Sequence, residues 1–147
     1  MRELPRQLTA EQLAELFEGR TRFVERLAAL EDPLGHAREV ALELSADEQK
    51  ELLDAHPAIG GKATSARSAA EQGSDDDPNV LAELAQLNSD YEARFGFRFV
   101  VFVNRRPRRE IVPILRERLE RTRAEELETS VDELVQIAVD RWQRSTP

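Results

Sequence analysis

His36 and His56 are the chain's only imidazoles, and there is no cysteine. Neither histidine has a second one at metal-ligand spacing, so a histidine-rich metal site is excluded. The lack of thiols removes disulfides, thiolate zinc sites, iron–sulfur clusters and cysteine nucleophiles. His56 sits before Pro57 and the loop around Gly60-Gly61. An imidazole titrates near neutral pH, which suits an acid/base group. The competing role is structural: a helix-end residue favoured by the dipole when protonated. Local sequence alone favours the structural role. Ser68-Ala69-Ala70-Glu71-Gln72 also has two readings. Serine followed by glutamate at this spacing is a capping box. The same residues offer a carboxylate and a neutral amide near a helix N-terminus, where free N–H groups suit an anionic ligand.

Three further groups complete the chemical inventory. Arg141 shares a helical face with Leu134, Ile137 and Ala138. Such an arginine either extends its head to solvent or clamps a carboxylate, and in isolation the first role is favoured. Asp75-Asp76-Asp77 before Pro78 reads as a solvated turn, because no calcium-loop pattern surrounds it. Arg105-Arg106-Pro107-Arg108-Arg109 reads as a basic turn between elements.

The elements that must position these groups are mostly helical. Thr9 to Gln12 and Ser45 to Glu48 have capping-box spacing. The first opens a helix carrying Leu13, Leu16 and Phe17, with Gly19 as its stop; the second carries Leu52 and Leu53 and ends near His56, because a residue before proline disfavours helix. Between them, Thr21 starts a helix with Phe23, Leu27 and Leu30, and Asp32-Pro33 breaks it. Pro33 to Leu44 presents Ala37, Val40, Ala41 and Leu44. From Asn79, the residues Val80, Leu84, Leu87, Tyr91 and Phe95 follow helical spacing up to a Gly96 cap. Ile111, Ile114, Leu115 and Leu119 mark another helix, where Pro113 is tolerable only near the first turn. Leu127, Val131, Leu134, Val135, Ala138 and Trp142 mark the last. Phe97 to Val103 has strand propensity, yet no second convincing strand exists to pair with it, so it is either an extended buried segment or an aromatic helix start. The expectation is an all-α, single-domain bundle over residues 1–147 with one extended aromatic segment at about 97–103.

Composition agrees with one such domain. The chain has 147 residues, 40% hydrophobic and 34% charged, with only 5% aromatic, so aliphatic side chains build most of the core. The formal net charge of −8 argues against nucleic acid or anionic membranes as partners. It leaves room for an anionic small molecule bound by a few local arginines. No apolar run approaches membrane-helix length, and the first residues show no apolar signal core. A soluble cytoplasmic protein is expected.

Taken in order, His56-Pro57, Ser68-Ala69-Ala70-Glu71-Gln72, Leu87-Asn88 with Tyr91, and Arg94-Phe95-Gly96-Phe97 with Phe99 resemble the OHCU decarboxylases. Their substrate is 2-oxo-4-hydroxy-4-carboxy-5-ureidoimidazoline, the last intermediate of urate oxidation before allantoin. The resemblance runs from about Leu13 to Trp142. It implies an all-α fold, commonly dimeric, with no metal and no organic cofactor. By motif, His56 matches the catalytic histidine, Glu71 the catalytic glutamate and Gln72 the substrate-contacting glutamine. Pro57 and Ser68 match pocket-lining positions. Phe99, Val100, Val101, Phe102 and Val103 match an extended segment whose main chain contacts the substrate. Arg141 matches, less closely, an arginine of the C-terminal helix near the site. The implied partners are an anionic ureidoimidazoline and a second copy of the chain.

The sequence departs from the family pattern in three places. Arg98 replaces the usual proline of Phe-Gly-Phe-Pro-Phe, Ala58-Ile59 replaces Asp-Leu, and Gly73 to Pro78 is unusually acidic. A decarboxylase with a shifted substrate and a non-catalytic helical interaction module are the two alternatives.

Overall fold

In a computed structural model, the structure describes residues 3–57 and 77–144. Among them are seven helices and no strand: α1 Ala10–Leu16, α2 Arg22–Ala28, α3 Pro33–Glu43, α4 Ala46–Asp54, α5 Pro78–Phe95, α6 Arg108–Leu119 and α7 Arg123–Arg144. The all-α expectation holds. Both expected capping boxes form: Thr9 and Gln12 exchange hydrogen bonds at the start of α1, and Ser45 and Glu48 do so at α4. A third, unforeseen, opens α7. There Thr122 N–H donates to Glu125 Oε1 at 3.0 Å and Glu125 N–H to Thr122 Oγ1 at 3.2 Å.

The packing follows from the apolar faces these starts set in register. α7 is the longest helix and lies against α1, α3 and α4, while α2 joins α1, α3 and α4. α5 and α6 pair with each other. One hydrophobic cluster runs through all seven among the described residues, from Leu13 and Phe23 to Leu84, Ile111 and Leu134. Two details differ from the sequence pattern. α2 ends at Ala28, which leaves Leu30 exposed rather than in the stripe. α6 begins at Arg108 inside the expected basic turn, so Pro113 lies in its second turn. Pro113 is exposed, and the bond it cannot give to the Arg109 carbonyl is lost on the solvent side of the helix.

Gly96 takes φ +81 at the end of α5 and turns the chain into the segment 97–103. That segment is extended and buried, as expected: Phe97, Phe99, Val100, Val101 and Val103 all face the interior, and Phe102 is half-buried. Its aromatic rings pack around Tyr91, with centroids 6.0 Å away for Phe97 and 5.3 Å for Phe99. Arg123 closes the end of α5 by donating to the Phe95 carbonyl at 3.1 Å and lies over the Phe97 ring.

With no neighbouring strand among the described residues, the segment's main chain bonds to side chains. Arg118 Nη1 donates to the Val100 carbonyl at 2.8 Å. Arg106 donates to the carbonyls of Phe102 at 2.7 Å and Val103 at 2.9 Å. Arg118 is buried, so its charge needs a partner. Glu126, fully enclosed on α7, accepts from Arg118 Nε at 2.7 Å, from Tyr91 Oη at 2.7 Å and from Arg121 Nη1 at 3.0 Å. Removing one member of a buried ion pair strands the others. Glu126→Ala should therefore lower the unfolding free energy in urea by about 3–5 kcal/mol. Arg6→Ala, whose ion pair with Glu31 lies in solvent, should leave it nearly unchanged.

Candidate active site

The end of α4 carries the candidate acid/base. α4 stops at Asp54, Ala55 caps it, and His56 follows before Pro57. This is where the proline was expected to end the helix. The His56 side chain points inward and is only 5% exposed, whereas Pro57 is half-buried. Its Nε2 is buried and meets no hydrogen-bonding partner among the described residues. A buried polar atom in that state costs free energy unless a ligand or water meets it. The helix-end role favoured by local sequence is thus not what the fold uses. That role needs a protonated, solvated imidazole.

Burial keeps His56 neutral instead. Its pKa is lowered to about 3, chiefly by desolvation, next by the positive charge of Arg141, and also by Arg98; Glu18 opposes them. Arg141 comes from α7 and is itself buried, not extended to solvent. Its Nη2 pairs with Glu18 Oε1 at 3.0 Å, and its Nη1 donates to the Leu16 carbonyl at 3.1 Å. The guanidinium therefore caps the C-terminus of α1 while standing in the electrostatic neighbourhood of His56.

Glu18 is the residue that sequence reasoning missed. Gly19 was the expected stop of α1, but the left-handed residue is Glu18, with φ 63. Gly19 N–H donates back to the Ala14 carbonyl at 3.0 Å, which closes a Schellman turn around it. A side chain in this conformation costs about 1–2 kcal/mol, and the buried pair with Arg141 offsets that strain. The glutamate just before the glycine was the available signal, though its partner lies far along the chain in α7.

Arg98 joins His56 to the extended segment. Its main-chain N–H donates to Asp54 Oδ1 at 2.9 Å. Its Nη1 donates to the carbonyls of Asp54 at 2.9 Å and His56 at 2.6 Å. So the structure brings together His56, the segment that leads into Phe99, and Arg141. Ser68, Glu71 and Gln72 lie outside the described residues. Within the segment, Val100, Phe102 and Val103 have carbonyls already engaged by Arg118 and Arg106. The Phe102 N–H bonds Glu133, whose carboxyl is nonetheless pushed up by burial. His36, the other histidine, lies on the surface with Nδ1 at 3.0 Å from the Asp32 carbonyl, away from this cluster. Among the described residues no group of three or more potential ligands could hold a metal ion.

A model of the OHCU decarboxylase family matches residues 2–143. The uric acid degradation bifunctional protein of Bacillus sp. (strain TB-90) is 29% identical over 110 residues, which is 71% of this chain and 22% of that relative. The chain thus spans about a fifth of the curated relative's length. A crystal structure of OHCU decarboxylase in the presence of (S)-allantoin superposes with a TM-score of 0.71 at 26% identity, over 88% of this chain and 94% of that one. A crystal structure of (S)-allantoin synthase shares the fold, with a TM-score of 0.65 at 22% identity over 91% of this chain and 48% of that one.

The neutral state of His56 has a consequence for stability. The folded imidazole titrates at about 3 and the unfolded one near 6.5. Between those values the unfolded chain binds more protons, so stability falls as pH drops from 6.5 toward 3 and is regained above 6.5. Urea unfolding at about pH 4.5 and about pH 7 should show a larger acid loss for wild type than for His56→Gln.

Proposed function

The chain belongs to the OHCU decarboxylase family, and from that membership we propose that it converts 2-oxo-4-hydroxy-4-carboxy-5-ureidoimidazoline to (S)-allantoin and carbon dioxide in urate breakdown. The observation that best supports this reading is the buried Nε2 of His56, without a hydrogen-bond partner among the described residues, beside Arg141 and Arg98. An interaction module gives no reason to bury an imidazole nitrogen unmatched. A ligand that bonds it supplies one.

The chemistry needs no electron sink beyond the substrate. Breaking the bond from C4 to the carboxylate releases carbon dioxide, and the electron pair passes into the C4–C5 bond as the C5=N bond's pair moves onto nitrogen. That nitrogen takes one proton from solvent. The C4 hydroxyl then gives up its proton as C4=O forms, and C5 gains a proton on one face. One group able first to accept and then to give a proton can carry the hydroxyl proton to C5. A neutral imidazole is such a group; an imidazolium would have to lose its proton first. His56 takes this part in the proposal. Glu71 assists by orienting His56 or taking the hydroxyl proton, Gln72 holds the ring, and Ser68 and Pro57 line the pocket; these assignments come from their motif positions.

Arg141 meets the substrate's negative charge, and main-chain groups of the 99–103 segment hold the ureido and ring amides. The carbonyls of Val100, Phe102 and Val103 already accept from Arg118 and Arg106, and each keeps a second lone pair, so Phe99, Val100, Val101, Phe102 and Val103 all stay in the proposal. A cofactor-free, cytoplasmic homodimer completes the proposal. No described helix is long and apolar enough to cross a membrane.

The test is turnover. The substrate is made in situ from urate with urate oxidase and hydroxyisourate hydrolase, and (S)-allantoin is followed by circular dichroism. The expected result is acceleration above spontaneous decay, reduced at least about 100-fold in folded His56→Ala or Glu71→Gln. Unaccelerated decay with well-folded wild type would overturn the substrate assignment. Full activity in His56→Ala would overturn the role of His56.

A further inference from the structure

Arg98 ties the start of the extended segment to the turn that carries His56, through its main-chain N–H and its guanidinium. Arg98 uses both kinds of donor on one target, the last turn of α4. Its N–H fixes the Asp54 carboxylate at 2.9 Å, and its Nη1 bridges the Asp54 and His56 carbonyls at 2.9 and 2.6 Å. These carbonyls belong to the end of a helix, where the last C=O groups lack partners within the helix and the dipole favours a cation. The guanidinium is steadied from α5 by Glu92, whose Oε1 lies 3.7 Å from Nε, and the Asp54 carboxylate is also held by Lys50 one turn back.

We propose that Arg98 is a positioning residue of this enzyme: it clamps the His56 turn to the extended segment and so fixes the imidazole relative to the main chain that meets the substrate. The inference rests on the decarboxylase reading of His56 and deepens it. His56 Nε2 has no hydrogen-bond partner among the described residues to set the ring's place. Its backbone is held through Pro57, through its N–H to the Leu53 carbonyl at 3.3 Å, and through the Arg98 clamp on its carbonyl. The two ends of that clamp are 42 residues apart in sequence, so no local interaction duplicates it. The groups whose charges act on His56 among the described residues are Arg141 of α7, Glu18 after α1 and Arg98 itself. Loosening Arg98 therefore both frees the imidazole and removes one positive charge that opposes its protonation.

The decisive variant is Arg98→Met, which keeps the N–H bond to Asp54 and the aliphatic stem but deletes both bonds to the carbonyls. Two readouts apply. In the decarboxylation assay, kcat should fall about 10-fold while KM changes little, and Arg98→Lys should recover part of the loss. In substrate-free protein, the His56 ring signals should shift, and their titration midpoint should rise. Those signals are readable by NMR because the only other histidine, His36, is exposed. Wild-type kcat together with unmoved His56 signals in folded Arg98→Met would overturn the proposal. Should Arg98→Met fail to fold, Arg98→Lys decides: lowered kcat with displaced His56 signals supports the clamp, and wild-type values of both overturn it. If wild type itself fails to turn over the ureidoimidazoline, the functional reading falls, while the His56 signals still decide what Arg98 does.

Discussion

An extended segment buried with no neighbouring strand among the described residues must find partners for its main chain among side chains, and this requirement organises the described part of the molecule. A sheet would satisfy Phe97 to Val103 with a ladder of bonds. Here arginines and carboxylates take the ladder's place: Arg118 on Val100, Arg106 on Phe102 and Val103, Asp54 on Arg98. Each solution creates a further demand. Arg118 is buried and must have an anion, which places Glu126 inside α7; Glu126 has more acceptor capacity than one arginine fills, which brings in Tyr91 and Arg121. Ser130 accepts from Arg118 at 3.0 Å. The polar network is thus the cost of keeping one stretch of main chain free of a sheet.

The same logic accounts for where the charge lies. The chain carries a net −8, yet two arginines, Arg141 and Arg98, stand beside His56, each with an acidic neighbour. Arg141 and Arg98 each close the end of a helix by taking carbonyls that have no partner within it, from α1 and α4 respectively. Helix C-termini are negative, so both guanidiniums lie in favourable fields. The two ends that need capping are also the two that deliver Glu18 and His56. Structural capping and the electrostatics of the site are consequently one arrangement, which is why burial and two nearby cations hold His56 neutral while Glu18 tempers them.

Much of this was legible in the sequence, and the illegible part has a common cause. The helix starts at Thr9, Thr21 and Ser45 were readable because capping is local, with donor and acceptor within three residues; the start at Pro33, which has no side-chain cap, was readable because proline suits the first helical position. Phe97 to Val103 was readable as extended and buried because apolar β-formers after a glycine cap leave few alternatives. The polar core was not readable. Sequence periodicity put Leu127, Val135 and Trp142 on the inner stripe of α7; they are only partly buried, while Glu126, Ser130 and Arg141 are enclosed. Polar residues earn such places only through partners on other elements, and spacing within one helix carries no information about those partners. The resemblance supplied His56 and Arg141 through motif, but neither Glu18 nor the function of Arg98. Ser68, Glu71 and Gln72 rest on motif alone.

The pairing of the arginines bears on what a decarboxylase requires. Only interactions stronger in the transition state than in the bound substrate accelerate the reaction. Decarboxylation disperses the carboxylate's charge, so a cation that gripped that carboxylate at full strength would stabilise the wrong state. Arg141 shares its charge with Glu18 at 3.0 Å, and Arg98 gives its Nη1 to main-chain carbonyls. Both can attract an anion into the site without holding its departing group tightly. The neutral imidazole completes the argument. A protonated histidine would add an unshared positive charge beside the same carboxylate, whereas a neutral one can follow the proton from oxygen to carbon as the charge moves into the ring. In the proposed mechanism, burial keeps the His56 imidazole in the neutral form that can accept a proton, and Glu18, paired with Arg141, opposes that depression and so keeps the ring more basic than burial and two cations alone would leave it.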